Sequence, residues 1–334
     1  MKKLYAVVLA AGEGKRMHSR LPKVLHPLCG RPMVNYILES AVELTDYVLV
    51  VVGHGASQVK ADLGDKWRYV LQEEQLGTGH AVMQALKDLP QEGRLLVLCG
   101  DTPLLEASYL RQFLEHHEEQ AAKVATVKLP DPTGYGRIIR SSENMVDRII
   151  EEKDASEEEK KISEINTGTY YFDLALLKNY LPQLTNNNIQ KEYYLTDVIA
   201  LMCRDGHRIG SYMIDDHRVG LGINNRAQLA EAAFLIRKRI NQSLMLSGVT
   251  IVDPDTTYID YDVKISADTE IRPHTVIESG TVIGSECRIG PGAHLRRAVI
   301  NDRAVIEHAV VEDSVIESDH RIKLFTITRN NRPV

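Results

Sequence analysis

The chain has 334 residues, 43% of them hydrophobic and 26% charged, with a net charge of −6 at neutral pH. That is long enough for two domains and balanced as a soluble globular protein is. It argues against a nucleic-acid binder relying on bulk positive charge, and no apolar run approaches a membrane span. Cys29, Cys99, Cys203 and Cys287 are scattered without metal or framework spacing. They read as reduced thiols of a cytoplasmic protein.

Met1-Lys2-Lys3 before an apolar run looks like the start of a leader, but the run is short and glycine and charge follow at once. Leu4 to Leu9 predicts a buried strand instead. It leads into Leu9-Ala10-Ala11-Gly12-Glu13-Gly14-Lys15-Arg16-Met17 and then Leu21-Pro22-Lys23. Glycines let backbone N–H groups approach a ligand closely, and successive N–H groups in a turn make an anion-binding concavity. Lys15, Arg16 and Lys23 add positive charge there. The stretch reads as a phosphate cradle at the carboxyl end of the first strand of an α/β sheet. It is not a dinucleotide fingerprint, because Met17 stands where the third glycine belongs, and no Gly-Lys-Ser/Thr closes a Walker loop. An ordinary strand–turn with surface lysines is the plainer alternative.

Strand and helix patterns alternate from here, as in a mainly parallel sheet covered on both faces. Pro32 opens an amphipathic stretch through Leu44, Tyr47 to Val52 is a buried strand, Ala56 to Leu63 a short helix and Trp67 to Leu71 a strand. Glu74-Gln75-Leu76-Gly77-Thr78-Gly79-His80-Ala81 then enters a helix. Its backbone groups suit the edge of a base, or the stretch is a helix-capping loop. Arg94 to Cys99 is a strand ending in Gly100-Asp101. An aspartate just past a buried strand, beside the cradle, suits Mg²⁺ held against phosphates, and the competing reading is an N-cap of the next helix. Asp131 to Ile138 enters a hairpin whose partner, Val146 to Ile150, ends at Glu151, placed to accept from a sugar hydroxyl; Asn166 opens another strand in a similar place. The charged run from Glu151 to Lys161 otherwise reads as a solvated helix. Thr196 precedes a helix through Met202, Arg208 to Ile214 is a late strand, and Asn224 precedes a helix from Arg226 to Met245, which it caps in the plainer reading.

At Gly248 the pattern changes. Ile259, Ile265, Ile271, Ile277, Ile283, Ile289 and Leu295 recur at every sixth position. That hexapeptide repeat specifies a parallel β-helix of three short strands per coil, its aliphatics inward. The phase slips after Leu295 and resumes weakly through Val299, Val305 and Val311. Nothing after Ile316 reads as a repeat or as a polar cap.

Together these stretches resemble the bacterial bifunctional N-acetylglucosamine-1-phosphate uridylyltransferase/glucosamine-1-phosphate acetyltransferase family. The cradle with Leu21-Pro22-Lys23-Val24-Leu25 is shared by sugar nucleotidyltransferases generally. Gln75-Leu76-Gly77-Thr78-Gly79-His80, Pro132-Thr133-Gly134-Tyr135-Gly136-Arg137, Glu164-Ile165-Asn166-Thr167-Gly168 and Glu192-Tyr193-Tyr194, with hexapeptides following, are far narrower. The resemblance implies a Rossmann-like, GT-A-like α/β domain followed by a left-handed β-helix. It implies that UMP passes from UTP to N-acetylglucosamine 1-phosphate, feeding cell-wall peptidoglycan and lipopolysaccharide. Leu9, Ala10, Ala11 and Gly12 would meet uridine and phosphates, and Gln72, Gln75, Gly77 and Thr78 would read uracil. Arg16 and Lys23 would contact the triphosphate and the transferred group. Asp101 and Asn224 would bind Mg²⁺, and Gly136, Glu151, Asn166 and Thr196 would hold the sugar phosphate.

Two positions depart from the family pattern: Lys15 replaces a threonine in the cradle, and Lys191 stands where glycine is usual before Glu-Tyr-Tyr. The expected division is a nucleotidyltransferase domain over 1–225, a linker helix over 226–248, a shortened β-helix over 249–318 and a non-repeat tail over 319–334. In this family acetyl transfer belongs to later coils whose residues have no counterpart here, so it is expected to be absent. A homotrimer through the β-helix is expected, or a monomer if so few coils hold too weakly. The rivals are a nucleotidyltransferase for another sugar or base, and a non-catalytic regulatory subunit; the presence of Lys23, Asp101 and Asn224 argues against the latter.

Overall fold

The computed structural model describes residues 2–115, 120–322 and 324–333. They form two units. One comprises Met1–His26 with Pro32–Arg226, and the other Pro27–Arg31 with Ala227–Val334.

The first unit is built on a mixed sheet. Its strands are β1 (Leu4–Ala10), β2 (Val48–Val52), β3 (Arg68–Leu71), β4 (Arg94–Cys99), β5 (Ala122–Lys128), β6 (Arg137–Arg140), β7 (Val146–Ile150), β8 (Glu164–Asp173) and β9 (Ile209–Met213). The main order is β9-β5-β8-β4-β1-β2-β3, with the β6–β7 hairpin attached through β8. All neighbours in the main order run parallel except β8, which is antiparallel to β4 and β5.

The apolar runs are continuous because both faces are covered. On β1, Tyr5 and Val7 enter a core with Leu49, Val51, Leu95 and Val97 under α3 (Thr78–Leu86), α5 (Leu174–Tyr180) and α6 (Asp197–Arg204). Ala6, Val8 and Ala10 enter the opposite core with Val48, Val50, Leu96 and Leu98 under α1 (Val34–Val42), α2 (Ala56–Leu63) and α4 (Ala107–Leu114). Register places Ala10 beside Val52 and Leu9 beside Cys99. The cradle and the chain after β4 therefore leave the sheet at one edge, the edge at which open α/β sheets bind ligands.

Two local expectations change, and one strand was not foreseen. Helix α1 starts at Val34, past Pro32, and the charged run after Glu151 is turns with one short 3₁₀ segment, Glu159–Lys161, instead of a helix. Strand β5 carries no apolar run to announce it. Its sequence is Ala-Lys-Val-Ala-Thr-Val-Lys, and tertiary burial decides it: every residue but Lys128 is buried.

The second unit is a left-handed parallel β-helix of two- and three-residue strands on three faces, preceded by α7 (Arg226–Leu246). Ile259 to Leu295 point inward at six-residue steps, each with relative exposure of 9% or less. Past Leu295 the inward series is Ile300, Ile306, Val311, Ile316, Ile322 and Thr328. Val299 is 40% exposed and Ile300 1%, so Val299 and Val305 are the outward neighbours, contrary to the phase read from the sequence. The reason lies at the corners. Most corners hold a residue in left-handed backbone. It comes three residues after the inward residue in six-residue steps (Asp268 φ 64°, His274 φ 58°, Glu286 φ 56°) and two after it in five-residue steps (Arg297 φ 45°, His308 φ 46°, Asp313 φ 48°). The buried position just before the strand is Thr257, Val263, Thr269, Thr275, Thr281 and Cys287 in the early coils, then Ala293, Ala298, Ala304, Ala309 and Ser314. Thr257, Thr269 and Thr275 return their hydroxyl protons to backbone carbonyls, as Thr275 does to Arg272 at 2.7 Å. The coils also continue where a non-repeat tail from 319 was expected: Arg321–Ile322 pairs with Val305–Ile306, and Ile327–Arg329 with Val310–Glu312.

Candidate active site

At the sheet edge lies a cleft of about 470 Å³ lined by Leu9, Ala10, Ala11, Gly12, Arg16, Lys23, Gln72, Gln75, Gly77, Thr78, Asp101 and Asn224, together with Cys99 and Glu192. Every residue expected at the nucleotide, cation and metal positions thus borders one volume.

The cradle turns at Gly14, whose φ of 64° favours glycine; a Cβ there would press on Lys23 Cβ at 2.5 Å. The 3₁₀ turn Lys15–Met17 follows, with Met17 buried as its anchor and Arg16 exposed on the rim. Lys15 is paired with Glu13 at 2.7 Å and stays 86% exposed, so the residue that departs from the family pattern faces solvent.

Deeper in, Lys23 Nζ forms an ion pair with Asp101 Oδ2 and donates to Asn224 Oδ1 at 2.7 Å. A lysine, an aspartate past β4 and an asparagine after β9 converge from 78 and 201 residues apart. Asp101 caps nothing, because α4 begins at Ala107 behind Glu106. Its backbone oxygen accepts from Ile223 at 2.9 Å, which ties the two oxygen-bearing loops together. Two hard oxygens already focused on one cation suit Mg²⁺, which keeps most of its shell for water and phosphate. Among the described residues no group of three or more His, Cys, Asp or Glu could hold a metal, and the oxygens gathered on Lys23 are one carboxylate and one amide.

At the other end, Gly77 adopts φ 104°, against the Tyr193 carbonyl. Helix α3 starts at Thr78 without a side-chain cap, which removes the capping reading. The loop bonds instead to the segment 193–195: Tyr193 N–H to Leu76 O at 2.7 Å, Gly79 N–H to Tyr193 O at 2.8 Å and Leu195 N–H to Thr78 Oγ1 at 3.1 Å. Lys191 stands just before that segment at φ 57°, so the structure uses the left-handed backbone a glycine would supply.

Gly136, Glu151, Asn166 and Thr196 form a second cluster. Thr196 Oγ1 donates to Glu151 Oε1 at 3.0 Å, and Asn166 N–H to Gly136 O at 2.9 Å. Asn166 Nδ2 donates to Tyr170 OH at 2.6 Å, and its Oδ1 accepts from Gly168 at 3.0 Å. The bulge of β8 between Asn166 and Tyr170 makes this turn, as bulges beside sites do. Burial pushes the Glu151 carboxyl above the usual range, the Thr196 hydrogen bond opposes that, and Asp197, Asp154 and Glu192 add to it. Cys99 joins the two clusters, lining the cleft and reaching Gly168 O at 3.5 Å; burial, then Asp101, pushes its thiol up to about 12, which makes it inert at neutral pH. Glu192 lines the cleft, and His80 and Tyr170 contact Gln72 and Asn166; no role for any of the three was legible in the sequence. Their signal was at most membership of a motif.

Residues 6–159 match the MobA-like NTP transferase domain, and residues 262–297 match the six-repeat bacterial transferase hexapeptide. The chain is 47% identical over 326 residues to a protein of Listeria welshimeri named bifunctional protein GlmU, covering 96% of this chain and 71% of that one. The chain belongs to the GlmU family. The GlmU of Brevibacillus brevis is 47% identical over 98% of this chain and 72% of its own, and that of Geobacillus thermodenitrificans 49% over 95% and 70%. A Bacillus anthracis protein described as a glucose-1-phosphate thymidylyltransferase superposes with a TM-score of 0.56 over 70% of this chain and 94% of its own; at 19% identity this shows the fold alone. As a GlmU family member the chain is an enzyme of the uridylyltransferase class.

Proposed function

We propose that the cleft transfers UMP from UTP to N-acetylglucosamine 1-phosphate, giving UDP-N-acetylglucosamine and pyrophosphate. The observation that carries this is Lys23, held between Asp101 and Asn224 in the cleft that the cradle borders. The attacking sugar-phosphate oxygen is already ionised at neutral pH, so no general base is needed, and positioning and charge are the protein's tools. The peptide groups from Leu9 to Gly12 seat the nucleotide. Lys23 faces the α-phosphate, where negative charge crowds, and Arg16 on the rim receives the departing β- and γ-phosphates. Gln72, Gln75, Gly77 and Thr78 read the base. Glu151, Asn166, Thr196 and the bare backbone of Gly136 hold the sugar. Asp101 and Asn224 would hold Mg²⁺, which supplies Lewis acidity to the phosphate oxygens.

The test is pyrophosphate release with UTP, Mg²⁺ and N-acetylglucosamine 1-phosphate, against glucose 1-phosphate and dTTP controls. Fast release confined to the first pair is expected. Release with another pair overturns the substrate, and silence from a folded sample overturns catalysis. The same reading makes the protein cytoplasmic, a homotrimer through the β-helix, and a supplier of cell-wall precursors. It also gives residues 1–334 no acetyl transfer, which thiol release from acetyl-CoA with glucosamine 1-phosphate would contradict.

A further inference from the structure

The base-reading end holds a proton network that reaches past the residues named so far, to His80 on α3. Gln72 is 3% exposed, and its Nε2 lies 3.1 Å from Gly77 O and 3.1 Å from His80 Nδ1. A carbonyl can only accept, so Gly77 fixes which end of the Gln72 amide is the NH₂. The second amide proton then meets Nδ1, which must offer a lone pair. His80 therefore carries its proton on Nε2, a tautomer assigned from the partners it must satisfy.

Nε2 lies 2.8 Å from the Gln84 amide, where an opposite demand arrives. Lys87 Nζ donates to Gln84 Oε1 at 2.6 Å, which turns the Gln84 NH₂ towards His80 and asks Nε2 to accept as well. A neutral imidazole cannot accept at both nitrogens. Gln72 is buried against a backbone carbonyl, and reversing it would set two oxygens face to face. The Gln84–Lys87 contact is at the surface, where a lysine moves into water at little cost. The buried end prevails, and Gln84 turns its oxygen to Nε2–H. Both Gln72 amide protons are then engaged, and only Oε1 is left for a ligand.

We propose that His80 is a positioning residue for base choice. It holds Gln72 with its carbonyl oxygen towards the cleft, where it accepts from the N3–H of uracil and disfavours cytosine, which has a lone pair at N3. This rests on the reading that Gln72 meets the base.

The test measures kcat/KM for UTP and for CTP on the full chain, with N-acetylglucosamine 1-phosphate. His80→Leu is expected to lower the UTP:CTP ratio by about tenfold or more, the scale of one buried hydrogen bond left unmade. His80→Asn, whose Oδ1 replaces the Nδ1 lone pair, restores most of it. A ratio unchanged in His80→Leu, with both nucleotides losing equally, overturns the lock and leaves a structural role. If that variant does not fold, two-bond ¹⁵N–¹H correlation of the wild-type imidazole decides: a proton on Nε2 is expected, and one on Nδ1 overturns the proposal. A wild-type chain that turns over no UTP would instead fail the nucleotidyl reading, and the imidazole spectrum would still judge the lock.

Discussion

Along the β-helix, acids and bases stack one coil apart: Glu278 meets His294, Asp313 meets Arg297, Asp319 meets Arg303, and Glu312 meets Arg329, all 16 or 17 residues from their partners. In the cleft, Lys23 gathers Asp101 and Asn224 from 78 and 201 residues away. The chemistry of the pairs is similar and the consequence opposite. Stacked pairs lie at the surface and are satisfied between neighbouring coils, so they decorate a frame held up by its aliphatics. The cleft set is recessed, and two oxygen acceptors from distant parts of the chain share one ammonium. Local order makes a scaffold, and long-range convergence makes a site.

The largest effect should come from breaking that convergence. Asp101→Ala is expected to cost ~100-fold or more in kcat, the scale of losing a key electrostatic contact, with the fold intact by circular dichroism. Near-normal pyrophosphate release would reduce the cleft to another decorated surface.

In the β-helix the expected effect is on stability and depends on phase. Ile300→Val should destabilise by about 1 kcal/mol, the usual figure for one buried methylene. Val299→Ala removes more carbon from an outward position and should cost less, within about 0.5 kcal/mol. Denaturant titration of both variants checks the order, and the reverse order would restore the phase read from the sequence.

That phase shows where reading a sequence stops. Ile259 to Leu295 were legible because six-residue steps repeat in the letters themselves. Past Leu295, Val-Ile pairs such as Val299-Ile300 offer two aliphatics for one inward place, and the five-residue step that chooses between them is a backbone event at Arg297. Asp101 was legible from its position after a buried strand. Strand β5 was not, because its small and polar letters are buried by neighbours distant in sequence. The bond between Glu151 and Thr196, and the orientation of the Gln72 amide, depend on contacts across the fold that no local window contains.

Glu151 should be visible in the pH dependence of stability. Its folded carboxyl is raised above the unfolded value, so the folded state binds more protons between the two. Its contribution is fully present below the unfolded value and is lost as pH rises through the folded one. Denaturation midpoints across the mildly acidic range should therefore fall with rising pH more steeply in the wild type than in Glu151→Gln. Equal slopes would place Glu151 in water.

The smallest effect concerns Lys191. Its left-handed backbone costs an L-residue roughly 1–2 kcal/mol, partly offset by the flexibility glycine brings to the unfolded chain. Lys191→Gly should stabilise by about 0.5 kcal/mol, read as a small rise in melting temperature, and a fall would show the lysine making an interaction worth more than its strain.

The corners of the β-helix bear on how such a chain can change in length. Losing one residue from an ordinary strand turns every later side chain to the wrong face. Here the loss falls wholly at the corner, between the inward residue and the left-handed one, and the strand beyond still sets one side chain out and the next one in. Coils with sides of five and six residues stack in register in the same molecule. A single-codon deletion, ruinous inside the nucleotidyltransferase sheet, is a tolerable event at these corners, so the gene has room there to shorten and lengthen that it lacks elsewhere.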